Sequence, residues 1–136
     1  MLRCYQDGDL ERIKLQPEQE LERSSEWEKL KNDKTLVFCD KDKVLALVYP
    51  MEDEGKITLF ALVSRDSGYK AVHIVKTMRS WIIEQFTRNE IYRIDMTTQA
   101  NFDQANRLAE LLGFTYEGTL HSYFRGIDFN IWGIWK

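Results

Sequence analysis

Hydrophobic positions change their spacing several times along the chain, and each change marks an element. Residues 1–5 read as a short strand, and Asp7-Gly8-Asp9 offers a helix cap ahead of Leu10 and Ile13, which share one helical face. Pro17 stops or restarts that helix. The acidic stretch from Pro17 to Leu30 favours helix, and Ser25-Glu26-Trp27-Glu28 has the S-x-x-E spacing of a capping box. Two short helices anchored by Leu21, Trp27 and Leu30 are expected. Residues 35–39 and 44–49 are apolar, β-branched or aromatic runs separated by Asp40-Lys41-Asp42-Lys43, the pattern of a β-hairpin. Pro50 and the acidic turn Glu52-Asp53-Glu54-Gly55 punctuate, and residues 56–63 make a third strand, apolar enough to be covered on both faces.

Beyond that strand the period becomes helical. Ala71, Ile74, Val75, Met78, Ile82 and Phe86 recur at steps of three and four, the stripe of a helix lying on a sheet. Residues 91–96 return to strand character. A second helix begins at about Asn101, where Asn101-Phe102-Asp103-Gln104 can cap it. Its apolar face is Ala105, Leu108, Ala109 and Leu112, and Gly113 is suited to a left-handed C-cap. Residues 116–123 and 129–135 form a last antiparallel pair joined through Arg125-Gly126-Ile127-Asp128. The predicted order is β-α-α-β-β-β-α-β-α-β-β, an α/β (α+β) chain.

Composition narrows the class. With 136 residues, 43% hydrophobic and 30% charged, 7 Gly and 2 Pro, the chain reads as a single domain over 1–136, without repeats or low-complexity segments. The start lacks the apolar core of a secretory signal, and no run approaches the roughly 18 apolar residues of a membrane span. A cytoplasmic protein is the expectation, with Cys4 and Cys39 as reduced core thiols. A net charge of −3 argues against general nucleic-acid binding, which needs clustered Lys and Arg. The charge is uneven: residues 1–56 carry 14 acids and 10 bases, a net of −4, and residues 57–136 carry 8 acids and 9 bases, a net of +1. A cationic ligand suits the first part and an anionic one the second.

Candidate chemistry concentrates where the third meander strand meets the long helix, at Val63-Ser64-Arg65-Asp66-Ser67-Gly68-Tyr69-Lys70-Ala71. A helix start leaves backbone amides without intrahelical partners, and a glycine lets an anion approach them. The amides of Ser67, Gly68, Tyr69, Lys70 and Ala71, with the charges of Arg65 and Lys70, could hold a pyrophosphate, and Asp66 opposes this. The Walker and Rossmann glycine spacings are absent. The same segment also reads as an ordinary strand-to-helix turn. His73 and His121 lie far apart with no further Cys or His at ligand spacing, so no metal site is expected.

Element order and two local motifs together resemble the GNAT superfamily of N-acyltransferases. Arg65-Asp66-Ser67-Gly68-Tyr69-Lys70 is similar to that family's [RQ]-x-x-G-x-[GA] acyl-CoA loop, with Lys70 at the small-residue position and Ala71 just after. Leu112-Gly113-Phe114-Thr115-Tyr116-Glu117-Gly118-Thr119-Leu120 is similar to the L-G-F-x-x-E-G-x-L ending of the ribosomal-protein acetyltransferase branch. The chain departs from the family where Phe102 stands in place of an Asn that touches the pantetheine arm, with Asn101 one step earlier, and where Ala109 replaces a Tyr that protonates the CoA thiolate.

The resemblance implies a mixed, mostly antiparallel sheet of about seven strands with helices on both faces. It implies acetyl-CoA as co-substrate and direct acetyl transfer to a primary amine: a peptide N-terminus, a Lys or a small cationic amine. The acetyl-CoA residues carried over are Phe60, Leu62, Val63, Arg65, Ser67, Gly68, Tyr69, Lys70, Ala71 and Asn101. A backbone amide of Val63 or Phe60 would polarise the thioester carbonyl. An ammonium acceptor must lose a proton before attack, so Glu52, Asp53 and Glu54 are candidates for the base by location, and Tyr116, Tyr123 or Thr98 for the donor to the thiolate. Each also reads as a solvated turn or a strand position. The chain is also similar to small tailed-phage proteins, internal virion protein among them, that carry a GNAT-like domain with an eroded CoA loop; there the implied role is a binding or morphogenesis module in the host cytoplasm or virion. Exposed late-strand aromatics are compatible with a homodimer.

Overall fold

The computed structural model describes residues 2–88 and 90–136. Its elements are β1 (Leu2–Cys4), α1 (Asp9–Arg12), α2 (Pro17–Glu20), a 3-10 turn (Ser25–Leu30), β2 (Leu36–Asp40), β3 (Lys43–Asp53) and β4 (Lys56–Val63). A second 3-10 turn (Gly68–Lys70) runs into α3 (Ala71–Thr87), followed by β5 (Arg93–Gln99), α4 (Asp103–Leu111), β6 (Thr115–Phe124) and β7 (Ile127–Trp135). Seven strands form one sheet in the order β1-β2-β3-β4-β5-β7-β6. β4 pairs parallel with β5, whereas β1 with β2, β2 with β3, β5 with β7 and β6 with β7 are antiparallel. This is the mixed, mostly antiparallel sheet that the resemblance implies; Met1, assigned above to the first strand, lies outside the described residues.

Packing divides the chain into two units, one of Met1–Pro50 with Phe60–Ala71 and one of Met51–Leu59 with Val72–Lys136. The first unit is organised by an apolar cluster that includes Leu10, Trp27, Leu30, Val37, Leu47 and Leu62. Burial of side chains this size contributes roughly 1.5–3 kcal/mol each. Trp27 meets Phe60 edge-on at 6.4 Å, and the Arg23 guanidinium lies 4.7 Å from the Trp27 ring centre. At the margin Asp9 is fully buried and accepts both Arg3 guanidinium nitrogens (2.7 and 2.9 Å) and the Gln6 N–H (2.8 Å). Burial works to raise the Asp9 pKa, but the Arg3 bonds and the Gln6 amide outweigh it and hold the carboxyl below its ordinary value.

The second unit is built on β5, which pairs with β7 over its full length, from Arg93 opposite Trp135 to Gln99 opposite Phe129. α3 buries Ile74, Met78 and Ile82 from the predicted stripe, together with Gln85, while Ala71 is exposed. Gly113 takes the expected left-handed conformation (φ 95°) just past α4. Trp132 is buried and Trp135 exposed, as a three-residue offset on a strand requires. No helix among the described residues is long and apolar enough to cross a membrane.

Local corrections share a cause: side chains expected to cap helices are used elsewhere. α1 is capped by Gly8 at φ 91° with no side-chain bond, because the Asp9 carboxylate turns to Arg3. Ser24, not Ser25, caps the 3-10 turn by accepting the Glu26 N–H at 3.3 Å, so the Ser25–Glu28 capping box does not form. Phe102, buried at the entry to α4, holds the N-cap position there without a side-chain bond, displacing the expected cap at Asn101. β3 continues through Pro50 to Asp53, since Glu54 and Gly55 alone (φ 48° and 85°) supply the two left-handed residues of a tight hairpin turn. Cys4 is exposed, not in the core, while Cys39 is buried; neither is in a disulfide.

Candidate functional site

The loop from β4 into α3 is held by its own short-range bonds. Ser64 Oγ accepts the Asp66 N–H (3.0 Å), and the buried Ser67 donates its hydroxyl to the Ser64 carbonyl (2.8 Å). The N–H groups of Ser67, Lys70 and Ala71 donate to the carbonyls of Ser64, Ser67 and Gly68, so three of the five amides expected to face an anion are consumed inside the turn. Among the described residues the amides of Gly68 and Tyr69 donate to nothing, which is the normal state of a helix's first amides. A Cβ built on Gly68 would meet no atom within 4 Å, and its backbone is not left-handed. Nothing in the fold itself therefore requires glycine at 68. The missing side chain instead leaves the approach to the two amides open, and this fits an anionic group at the head of α3.

Charge around the loop is distributed differently from a bare reading of the motif. Asp66, which would repel an anion, lies 3.7 Å from Lys14 Nζ, and the Arg65 N–H donates to the Lys14 carbonyl at 2.9 Å. The segment after α1 thus holds the loop and offsets its acid. Tyr69 is exposed and donates its hydroxyl to Asp40 Oδ2 at 2.6 Å, with Lys43 Nζ 5.9 Å from its ring centre. That bond raises the tyrosine pKa and lowers that of Asp40. Arg65 is exposed and Lys70 half-buried.

Strand β4 carries three of the remaining acetyl-CoA candidates, Phe60, Leu62 and Val63. Leu62 is buried in the core, and Phe60 packs on Trp27. The Val63 amide has a partner that the sequence did not suggest. In the orientation its neighbours dictate, the buried Gln19 amide donates to the Val63 carbonyl (2.8 Å) and accepts the Val63 N–H (3.0 Å). The adjacent Ser64 N–H donates to Leu45 of β3 (2.8 Å), so the Val63 groups taken by Gln19 face away from β3. The described β4–β5 pairing, Lys56–Arg93 to Thr58–Asp95, ends five residues before Val63.

The catalytic candidates are not brought together. Glu52 is held by Arg88 (3.2 and 3.3 Å), and Glu54 forms the β3–β4 turn beside Gly55, whose carbonyl accepts the Tyr92 N–H (2.8 Å). That places both at the Arg93 end of β5. Tyr123 packs at a tilt against Phe129 (5.5 Å, 58°), which pairs with Gln99 at the other end, about 20 Å away at strand rise. Tyr116 lies between these ends, against Trp132 at 5.6 Å. Asn101 is exposed at the turn before α4.

A polar ladder that the sequence reading missed links two of its proton-donor candidates. Tyr116 shares its hydroxyl hydrogen bond with Thr119 (2.6 Å), Thr119 donates to Asn130 Oδ1 (2.9 Å), and Asn130 donates to Asn106 Oδ1 (3.0 Å). Thr98 donates to the same Asn106 oxygen (2.6 Å) and accepts the buried Trp132 indole N–H (2.9 Å). Because Thr119 gives its only proton to Asn130, Tyr116 must donate to Thr119. Asn106 completes its valences by donating to the Ala100 carbonyl (3.0 Å). The alternation of Thr119 and Asn130 across paired strands carried no signal above any polar strand face. A second cluster, Arg93 with Asp95 (2.9 Å) and Glu117 (3.1 and 2.5 Å), lies over Gly133, where a Cβ would come within 2.2 Å of the Glu117 carboxylate.

No protein-family description matches the chain, and no curated protein matches it in sequence. Solved structures do match its fold. A GNAT-family acetyltransferase from Bacillus anthracis aligns with a TM-score of 0.73 at 13% identity, over 98% of this chain and 93% of its own. A spermidine N-acetyltransferase SpeG chimera from Vibrio cholerae and hSSAT aligns at 0.72 and 22%, over 99% and 95%. The chain has the GNAT fold. The microcin C7 self-immunity acetyltransferase MccE, solved with acetyl-CoA and AMP, aligns at 0.63 and 18%, over 82% of this chain and 64% of that one. At these identities the likeness establishes the GNAT architecture alone, so chemistry has to be argued from the residues above.

Proposed function

We propose that the protein is an acetyl-CoA-dependent N-acetyltransferase acting on a primary amine, with the β4–α3 loop as its acetyl-CoA phosphate site. The observation that carries the reading is the pair of unpartnered amides at Gly68 and Tyr69 with empty space where a side chain at 68 would stand. Bound acetyl-CoA supplies an acetyl thioester already activated for attack by an amine. The chain's part is to hold it: the Gly68 and Tyr69 amides and the cations of Arg65 and Lys70 oppose phosphate charge, and the Lys14 pairing reduces repulsion from Asp66. Glu52 or Glu54 is offered as the acceptor of the amine's proton through water, whereas Tyr116 gives its own proton to Thr119 and would have to break that bond to protonate the thiolate. The net −4 of residues 1–56 favours a cationic acceptor, and the cytoplasm supplies both substrates.

Acetyl-CoA at 100 times its Kd should add about 2.7 kcal/mol to unfolding stability. Absence of any thermal shift at millimolar acetyl-CoA would sink the proposal. Gly68→Glu places a carboxylate at the anion position and should abolish the shift while leaving the fold intact. A second reading, a GNAT-like binding or virion-morphogenesis module without catalysis, has one observation in its favour: Gln19 already holds both backbone groups of Val63 that an incoming acetyl-CoA would need.

A further inference from the structure

Gln19 is an unusual residue to bury. It sits on a four-residue helix of acidic and polar composition, yet it is 6% exposed and spends its whole amide on one backbone position, donating to Val63 O and accepting from Val63 N–H. A primary amide that returns both bonds to a single residue reproduces what a neighbouring strand offers. Val63 is past the last described pair between β4 and β5, so its outward N–H and C=O have lost strand pairing, and a buried polar group without a partner is costly. Gln19 therefore stands in for a missing strand at one residue of β4. Any extended ligand with a secondary amide that reached this position would need the same two groups.

We infer that Gln19 is a built-in competitor for the free edge of β4 at Val63, and that an amide-bearing ligand gains that edge only when the Gln19 side chain swings out. The inference rests on the acetyl-CoA reading above, because acetyl-CoA carries such amides in its pantetheine arm. The switch is a side-chain exchange with no covalent step. Its closed state holds two hydrogen bonds within the protein, and its open state transfers them to the ligand. Apparent affinity is then reduced by the fraction of molecules in the open state. With about one molecule in ten open, removal of the side chain would tighten binding about tenfold.

The test compares wild type with Gln19→Ala and Gln19→Met, using acetyl-CoA as probe by calorimetry and following exchange of the Val63 amide by NMR without ligand. Methionine keeps the volume and removes both hydrogen bonds, so it separates competition from a packing defect. Expected are faster Val63 exchange in both variants and acetyl-CoA affinity raised about tenfold in the alanine variant, with methionine between it and wild type. Unchanged Val63 exchange would overturn the inference, because the amide would then not be held by Gln19. Faster exchange with unchanged or weaker acetyl-CoA binding would overturn it as well, leaving Gln19 as structural support and the acetyl-CoA reading intact. Failure of all three proteins to bind acetyl-CoA would instead remove the acetyl-CoA reading and this inference together.

Discussion

The two units of this protein keep their polar groups in opposite ways. In the first, the core is largely hydrocarbon and polar groups are satisfied by local partners, Asp9 by Arg3 and Gln6, Ser67 by Ser64 and Val63 by Gln19, while the Trp27 indole N–H is buried without a partner among the described residues. In the second, polar side chains run through the body of the sheet as a ladder, from exposed Tyr116 to buried Trp132, with each inner member, Thr119, Asn130, Asn106 and Thr98, serving at least two partners. Isolated bonds can be exchanged one at a time, whereas a ladder loses several contacts when any rung is removed. The first arrangement suits the ligand-accepting role proposed for the loop, and the second suits a scaffold.

Substitutions can break or sharpen this contrast. The largest effect is expected at Asp9, where Asp9→Asn removes the charge that Arg3 faces and should cost about 3 kcal/mol in urea unfolding. The same pair gives a pH signature. Because the folded pKa of Asp9 lies below its ordinary value, its stabilisation is full above about pH 4 and is lost as pH falls through the folded pKa. Asp9→Asn should flatten the acid limb of the stability curve, and an unchanged limb would show that the pair is not what acid breaks. Next is Asn106→Leu, which strands Thr98 and Asn130 together and should cost about 2 kcal/mol. If the ladder is cooperative, that loss exceeds the sum expected from Thr119→Val and Thr98→Val measured singly.

Two glycines refine the comparison at smaller scale. Gly133→Ala pushes a methyl into the Arg93–Glu117 pair, whose atoms would lie 2.2 to 3.0 Å away, and should destabilise by about 1–2 kcal/mol. Gly68→Ala meets nothing within 4 Å and should change stability by no more than about 0.5 kcal/mol, while weakening acetyl-CoA binding measured by calorimetry. A stability loss at 68 as large as that at 133 would mean that glycine serves the fold there, leaving the loop without its functional argument.

Element order was legible from spacing because apolar periodicity reports burial directly. The stripe Ile74, Met78 and Ile82 is a case where burial decides the structure, whereas of the late strands only β7 carries buried residues and β6 follows it by pairing. Caps were misplaced because Asp9 and Asn101 had other uses or other surroundings, which no local motif encodes. The loop was placed correctly as a strand-to-helix junction, but which amides remained free depended on the 3-10 turn closed by Ser67. Gln19 and Asn106 were invisible for a different reason: their importance lies in partners 44 and 24 residues away, Val63 and Asn130. A buried amide in a polar stretch looks like any exposed one until the chain is folded.

The tight turn at Glu54–Gly55 also bears on how the chain reaches its native state. Its two left-handed residues let β3 and β4 meet through a connection of only two residues, and hairpins of this kind close in roughly 1–10 μs. The parallel partner of that hairpin is remote: Thr58 meets Asp95 across 37 residues. The Gly55 carbonyl receives the Tyr92 N–H, and a Cβ at 55 would come within 2.7 Å of the Glu90 carbonyl, so the turn fixes where the late-arriving strand must dock. Folding kinetics should therefore separate the two events. A substitution such as Gly55→Val would slow folding by spoiling the early hairpin, whereas Thr58→Val, which loses a contact made only after docking, would chiefly speed unfolding.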